Sequence, residues 1–152
     1  MIIGNGLIAT AFNKFGNDSV IIFASGVSNS VNPTVEDCLR EETLIKTFTN
    51  SKKQFVYFSS CSIFDTTMKD SIYVNHKIRM EKLIEDLFQN YLIVRLPIVV
   101  GKSNNPNTHI NSLVTKINND NELTIFTRAS RYLIDVDCVA FWVNKLINKY
   151  TV

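Results

Sequence analysis

Tyr73 and Lys77 stand four residues apart in Tyr73-Val74-Asn75-His76-Lys77, and on a helix that spacing brings a phenol and an ammonium onto one face. A free phenol titrates near pH ~10 and is a poor base at neutral pH, whereas a cation one helical turn away favours the phenolate. The same pair also suits an ordinary solvated helix face, so its neighbours decide its weight. Upstream of Tyr73, the run Val56-Tyr57-Phe58-Ser59-Ser60-Cys61-Ser62-Ile63-Phe64 leads from a strand into hydroxyl side chains, with Ser60 thirteen residues before Tyr73. Open parallel sheets place their ligands at such strand ends; a serine-rich turn is the plain alternative. A third group, Gly4-Asn5-Gly6-Leu7-Ile8-Ala9, follows an apolar strand and opens a helix. In a dinucleotide-binding turn the first glycine makes the bend, the second admits a pyrophosphate to the backbone, and a small third residue lets helix meet strand. A plain strand-to-helix turn is its alternative.

These groups need a scaffold, and the rest of the chain supplies its pattern. Short β-branched or aromatic runs alternate with segments of helical periodicity, which predicts βαβ units and a mostly parallel sheet. Strands are expected at Met1 to Ile3, Val20 to Ala24, Phe55 to Ser59 and Tyr91 to Leu96, with a weaker one near Leu123 to Phe126. The first four are nearly apolar throughout, as strands covered on both faces should be. Helices are expected at Leu7 to Phe15, Val35 to Asn50, Tyr73 to Phe88, Ile110 to Asn118 and Asp137 to Lys149. Thr34 and Asp37 have capping-box spacing before the second of them.

Composition narrows the function. The 152 residues are 45% apolar and 20% charged, which fits a single globular domain over residues 1–152. The formal charge, 16 − 14 = +2, is too small and too dispersed for a dedicated nucleic-acid binder, and Lys52 and Lys53 read as a solvated turn. Tyr91 to Val100 is interrupted by Arg95 and Pro97 and is too short to span a bilayer. The chain opens on a strand and glycines without the layout of a secretory signal, so a cytoplasmic protein is expected. Cys38, Cys61 and Cys138 have no C-x-x-C spacing, and His76 and His109 lie far from second ligands, so neither a metal site nor a disulfide framework is suggested.

Taken in order, the glycine turn, the hydroxyl at a strand end, Tyr-x-x-x-Lys on the next helix and Ile93-Val94-Arg95-Leu96-Pro97-Ile98-Val99-Val100-Gly101 resemble the extended short-chain dehydrogenase/reductase superfamily, which includes nucleotide-sugar epimerases, dehydratases and reductases. Arg131-Tyr132-Leu133-Ile134-Asp135-Val136-Asp137-Cys138-Val139-Ala140 is similar to that group's segment before a late helix. The resemblance implies a Rossmann-like domain using NAD or NADP, and a nucleotide-sugar epimerase or reductase of surface polysaccharide synthesis. It assigns catalysis to Ser60, Tyr73 and Lys77, with Tyr73 moving a hydroxyl proton, Lys77 lowering its pKa and holding a ribose, and Ser60 bonding the reacting oxygen. It assigns cofactor contacts to Gly4, Asn5, Gly6, Leu7, Ile8, Ala24, Ser25 and Lys77, and substrate contacts to Ser60 and Arg131. Arg131 reads equally as a surface ion pair. His76 is expected to point away into solvent, and Cys61 to be a small packed residue.

The resemblance also implies what is missing. Val20 to Gly26 is similar to the family's fourth strand, so its second and third strands are absent, and Ala24, Ser25 and Gly26 stand where an acidic residue would hold the adenosine ribose. Cys61 and Ser62 replace the acid pair of the dehydratase branch, which argues against dehydration. The first strand becomes an open edge, and relatives pair through the helices matching Val35 to Asn50 and Tyr73 to Phe88, so a homodimer is expected. A degenerate, non-catalytic binding or assembly module is the alternative reading.

Overall fold

A computed structural model of the chain describes residues 1–30, 33–103, 108–125, 127 and 130–150. Its elements run β1 (Ile2–Ile3), α1 (Leu7–Phe12), β2 (Val20–Phe23), α2 (Val35–Lys46), β3 (Gln54–Ser60), two short 3₁₀ turns, α3 (Ile72–Leu87), β4 (Tyr91–Leu96), β5 (Ile98–Val100), α4 (His109–Asn118), β6 (Leu133–Asp135) and α5 (Val136–Tyr150). The main sheet has the order β1-β2-β3-β4 and is parallel throughout. That is the order left when the second and third strands of a doubly wound sheet are removed and the first strand pairs directly with the fourth. The strand β1 has one neighbour and forms the open edge.

Alternation along β2 and β3 divides the core into two layers. Val20, Ile22, Val56 and Phe58 face α1 and α5, where Phe12, Val139, Ala140, Val143 and Ile147 complete one cluster. Ile21, Phe23, Phe55 and Tyr57 face α2 and α3, meeting Ile45, Met80, Ile84 and Phe88. The central strands β2 and β3 are therefore covered on both faces, an α/β/α arrangement. Tyr57 is the one member of the second cluster with a hydroxyl, and it opens the polar site described below.

Local chemistry sets the element ends. Thr34 and Asp37 form a reciprocal capping box: the Thr34 hydroxyl accepts from the Asp37 amide at 3.0 Å and the Asp37 carboxylate accepts from the Thr34 amide at 3.3 Å. The helix α2 ends at Lys46, short of the Asn50 expected, because the Thr47 and Thr49 hydroxyls take the carbonyls of Leu44 and Lys46. The helix α1 likewise stops at Phe12 instead of Phe15, where the backbone tightens into turns through Asn13 to Thr10 and Phe15 to Phe12 bonds.

Two further expectations are corrected. Leu123 to Ile125 lie in irregular backbone, not in a strand, and Phe126 falls outside the described residues. The strand β4 is not covered on both faces, since Tyr91 and Arg95 are exposed where the main sheet ends. The pair β5 and β6 forms a small parallel sheet of its own, too short for its periodicity to be read. Gly101 closes it tightly: a Cβ there would come within 2.6 Å of a Val136 methyl and 2.9 Å of a Leu7 methyl.

The capping box carries a measurable share of stability. Thr34→Ala should cost ~1 kcal/mol and lower the melting midpoint by roughly 2–4 °C; thermal circular dichroism would show it, and an unchanged midpoint would mean that α2 does not depend on its cap.

Candidate active site

The glycine turn is built as its spacing suggests. Gly4 adopts φ +120°, and a Cβ there would lie 2.5 Å from the Ala24 carbonyl oxygen and 3.1 Å from the Ser25 nitrogen. Both backbone conformation and space therefore demand glycine, and the end of β1 lies directly against the end of β2. Gly6 has open space instead, with no atom within 4 Å of a Cβ built on it. Ala9 is buried, so α1 meets the sheet through a small residue. Asn5 is exposed, whereas the side chains of Leu7 and Ile8 turn into the core of the α1/α5 layer. Of the cofactor contacts expected here, those two residues offer backbone only.

At that same end of β2, Ala24 and Ser25 are half-buried, and the Ser25 hydroxyl and carbonyl both accept from the Arg40 guanidinium, at 3.1 and 3.0 Å.

Ser60 is the last residue of β3, and its hydroxyl accepts from the Ser62 amide at 3.1 Å. Ser60 and Tyr73 are both half-buried. Burial raises the Tyr73 pKa, a side-chain interaction with Ser60 pulls it back, and the Glu41 carboxylate raises it further. Ser59 is instead buried beside Glu81, whose carboxylate it favours.

Beneath Tyr73 lies a closed polar cluster. Lys77 is 2% exposed and Glu41 is fully buried. Lys77 Nζ donates to Glu41 Oε1 at 3.2 Å and to the Tyr57 hydroxyl at 3.0 Å, and that hydroxyl donates to the same Glu41 oxygen at 2.6 Å. Glu41 Oε2 accepts from the Val27 amide and meets His76 Nε2 at 3.0 Å. A Cβ on Gly26 would come within 2.8 Å of Lys77 Nζ and 3.1 Å of Glu41 Oε1, so the backbone after β2 covers the pair. Lys77 Nζ is 4.9 Å from the centre of the Tyr57 ring and 5.8 Å from that of Tyr73.

The charges follow from this geometry. Burial alone would raise the Glu41 pKa, but the His76 hydrogen bond, the Lys77 charge, the Tyr57 hydroxyl and the Val27 amide outweigh it and hold Glu41 at about 2. Burial lowers the Lys77 pKa against the pull of Glu41. Burial, with Glu41 next to it, pushes the Tyr57 phenol well above its usual range. The sequence expectation that Lys77 lowers the Tyr73 pKa is thus corrected: the ammonium is answered by Glu41, and the Tyr73 phenol stays in its protonated form at neutral pH. The expected hold of Lys77 on a ribose is also unmet in this arrangement, since its amine faces inward.

The remaining expectations divide. His76 is not solvated but buried against Glu41, because α3 is enclosed between α2 and the sheet. Cys61 is exposed, not packed, since β3 has already turned outward there; its thiol reaches the Arg95 carbonyl at 3.4 Å. Arg131 is exposed, donates to the Ser130 carbonyl, and its charge favours the Asp65 carboxylate. Sequence reasoning missed Arg40, Glu41 and Tyr57. A signal for Glu41 did exist: Cys38, Glu41 and Ile45 form the buried stripe of α2, which places a carboxylate at an apolar position.

Fold and site define a shortened Rossmann-like α/β domain. No known family model matches the chain, and no curated protein matches it significantly. Solved structures do. The capsular polysaccharide assembling protein CapF from Staphylococcus aureus is 21% identical, with a TM-score of 0.56, over 93% of this chain and 38% of that one. UDP-glucuronic acid 4-epimerase from Bacillus cereus, in complex with UDP-glucuronic acid and NAD, is 18% identical with a TM-score of 0.64, over 88% of this chain and 50% of that one. A mutant of that epimerase with UDP-4-deoxy-4-fluoro-glucuronic acid and NAD is 20% identical with a TM-score of 0.61, over 85% and 49%. At these identities the likeness concerns the fold, and the chain spans half or less of each neighbour. Among the described residues no helix is long and apolar enough to cross a membrane.

The buried carboxylate makes a prediction about acid stability. A group with a native pKa of about 2 against an ordinary 4.5 stabilises the fold above the ordinary value and loses that contribution as pH falls toward the native one. Between those limits the loss should be on the order of 3 kcal/mol. Urea unfolding of the protein and of a Glu41→Gln/Lys77→Met double variant would measure it; equal acid dependence in both would place the loss elsewhere.

Proposed function

We propose that the chain is a shortened member of the extended short-chain dehydrogenase/reductase superfamily, a single cytoplasmic domain over residues 1–152 acting as an NAD- or NADP-dependent nucleotide-sugar epimerase or reductase in surface polysaccharide synthesis. What supports this reading is the placement of Ser60 at the carboxyl end of β3 and of half-buried Tyr73 near the start of α3, whose phenol Ser60 bears on, with the open Gly6 turn at the carboxyl end of β1 in the same sheet. The glycine turn fits the diphosphate and nicotinamide half of a dinucleotide, through backbone at Gly4, Asn5 and Gly6 and through Ala24 and Ser25. The adenosine half has no second strand to lie against, and Lys77 is committed to Glu41. The dinucleotide, when bound, supplies reversible hydride exchange at a sugar carbon.

The chain's own residues have definite parts in such a reaction. Tyr73, protonated at rest, is placed to give a proton to a sugar oxygen or, once ionised, to take one; Ser60 bonds the same oxygen and favours the phenolate. Arg131 is the candidate for the substrate diphosphate. Leu39 on α2 and Ile78 on α3 are exposed apolar residues on the helices through which a homodimer would form.

A second reading is favoured by one observation: the 2% exposure of Lys77 suits a family member that keeps the fold as a binding or assembly module and no longer turns over. Dinucleotide titration followed by nicotinamide fluorescence separates the two. The enzyme reading expects saturable binding that Gly6→Val weakens without unfolding the protein, since Gly6 has ordinary φ and free space, and turnover that Tyr73→Phe lowers by roughly 10²–10⁴. No binding at millimolar dinucleotide leaves the module.

A further inference from the structure

We propose that Glu41 is a positioning residue: with Tyr57 and His76 it seats the Lys77 ammonium beneath Gly26 and sets how much of that charge reaches Tyr73. The catalytic consequence rests on the functional reading above; the positioning itself does not.

The geometry leaves the ammonium little freedom. An ionised carboxylate offers about four acceptor positions, and Glu41 uses four: Lys77 and Tyr57 at one oxygen, His76 and the Val27 amide at the other. Rotation of the carboxylate would break all of them together. The Tyr57 hydroxyl accepts from Lys77 while donating to Glu41, which ties the phenol to both partners. Because Glu41 accepts, His76 Nε2 carries the proton between them, and His76 Nδ1 is left as a buried nitrogen without a partner. Gly26 closes the top, since a side chain there would strike both Lys77 and Glu41.

Charge follows position. The groups bearing on this cluster are Cys38, Arg40 and Glu41 from α2, Tyr57 from β3, and Tyr73, His76 and Glu81 from α3. At 3.2 Å, Glu41 is the anion in contact with Lys77, whereas the Tyr73 ring centre is 5.8 Å away. Replacing Glu41 by an uncharged side chain therefore removes the anion that opposes Tyr73 ionisation and frees the ammonium to favour it. A polypeptide that uses Tyr73 as a base must loosen this seat when ligands bind; one that never loosens it keeps Tyr73 a proton donor.

Two readouts on the whole protein test this without turnover. Amine acetylation read by mass spectrometry compares Lys77 with exposed Lys52, and alkaline phenolate absorbance, taken as the difference from a matched Tyr73→Phe protein, reports Tyr73 alone. In the unmodified sequence Lys77 should react at least about tenfold more slowly than Lys52. Glu41→Gln should raise Lys77 reactivity several-fold and move the Tyr73 phenolate to lower pH, and Tyr57→Phe should raise Lys77 reactivity to a smaller degree. A folded Glu41→Gln protein with a lowered melting point but unchanged Lys77 labelling and Tyr73 titration would overturn the inference, reducing Glu41 to a structural role. If Glu41→Gln does not fold, Tyr57→Phe decides: unaltered labelling overturns the inference and raised labelling supports it. Both shifts in a protein that binds no dinucleotide would support the positioning and refute the enzyme reading.

Discussion

A buried ion pair between Glu41 on α2 and Lys77 on α3 ties together the helical layer on which this domain's candidate chemistry depends. Taking two charges out of water is costly, and their attraction offsets that cost only when the remaining lone pairs and protons are also bonded. Here that condition is met by Tyr57 from the sheet, His76 from the residue before Lys77 in α3, and the Val27 amide from the backbone after β2. One carboxylate therefore connects α2, α3, β3 and the loop after β2. The loop in turn carries Ala24, whose carbonyl lies against Gly4, so the pair and the glycine turn are linked through a few residues of backbone.

The truncated sheet gives this layer its setting. With β1 directly beside β2, the glycine turn opens next to the end of β2, and Ser60 stands one strand further along at the end of β3. Among the described residues the sheet keeps the first and fourth strands of a doubly wound order side by side, with no strand between them. The chain covers 38% and 50% of the lengths of two solved neighbours.

Much of this was legible in the residues. Apolar runs at β2 and β3 and helical periodicity in α2, α3 and α5 required only local pattern, and the Thr34 and Asp37 spacing marked the start of α2. The placement of Ser60 at the end of β3 and of Tyr73 near the start of α3 was legible from order along the chain. Glu41 was legible only as a carboxylate on the apolar Cys38-Glu41-Ile45 stripe of α2, because the partners that make its burial tolerable lie 14 to 36 residues away. His76 was misread for a related reason: neighbouring helical residues point about 100° apart, yet α3 is enclosed on enough sides to bury both His76 and Lys77. The strands β5 and β6 have three residues each, too few to show a period.

The claim that Glu41 holds the Lys77 ammonium is tested most directly by nuclear magnetic resonance of the protein with ¹⁵N-labelled lysine. A bonded, enclosed ammonium exchanges its protons slowly, so one lysine side-chain signal should persist at neutral pH while the exposed ones are lost, and Lys77→Met should remove it. A spectrum in which the Lys77 signal exchanges as fast as those of the surface lysines would contradict the account.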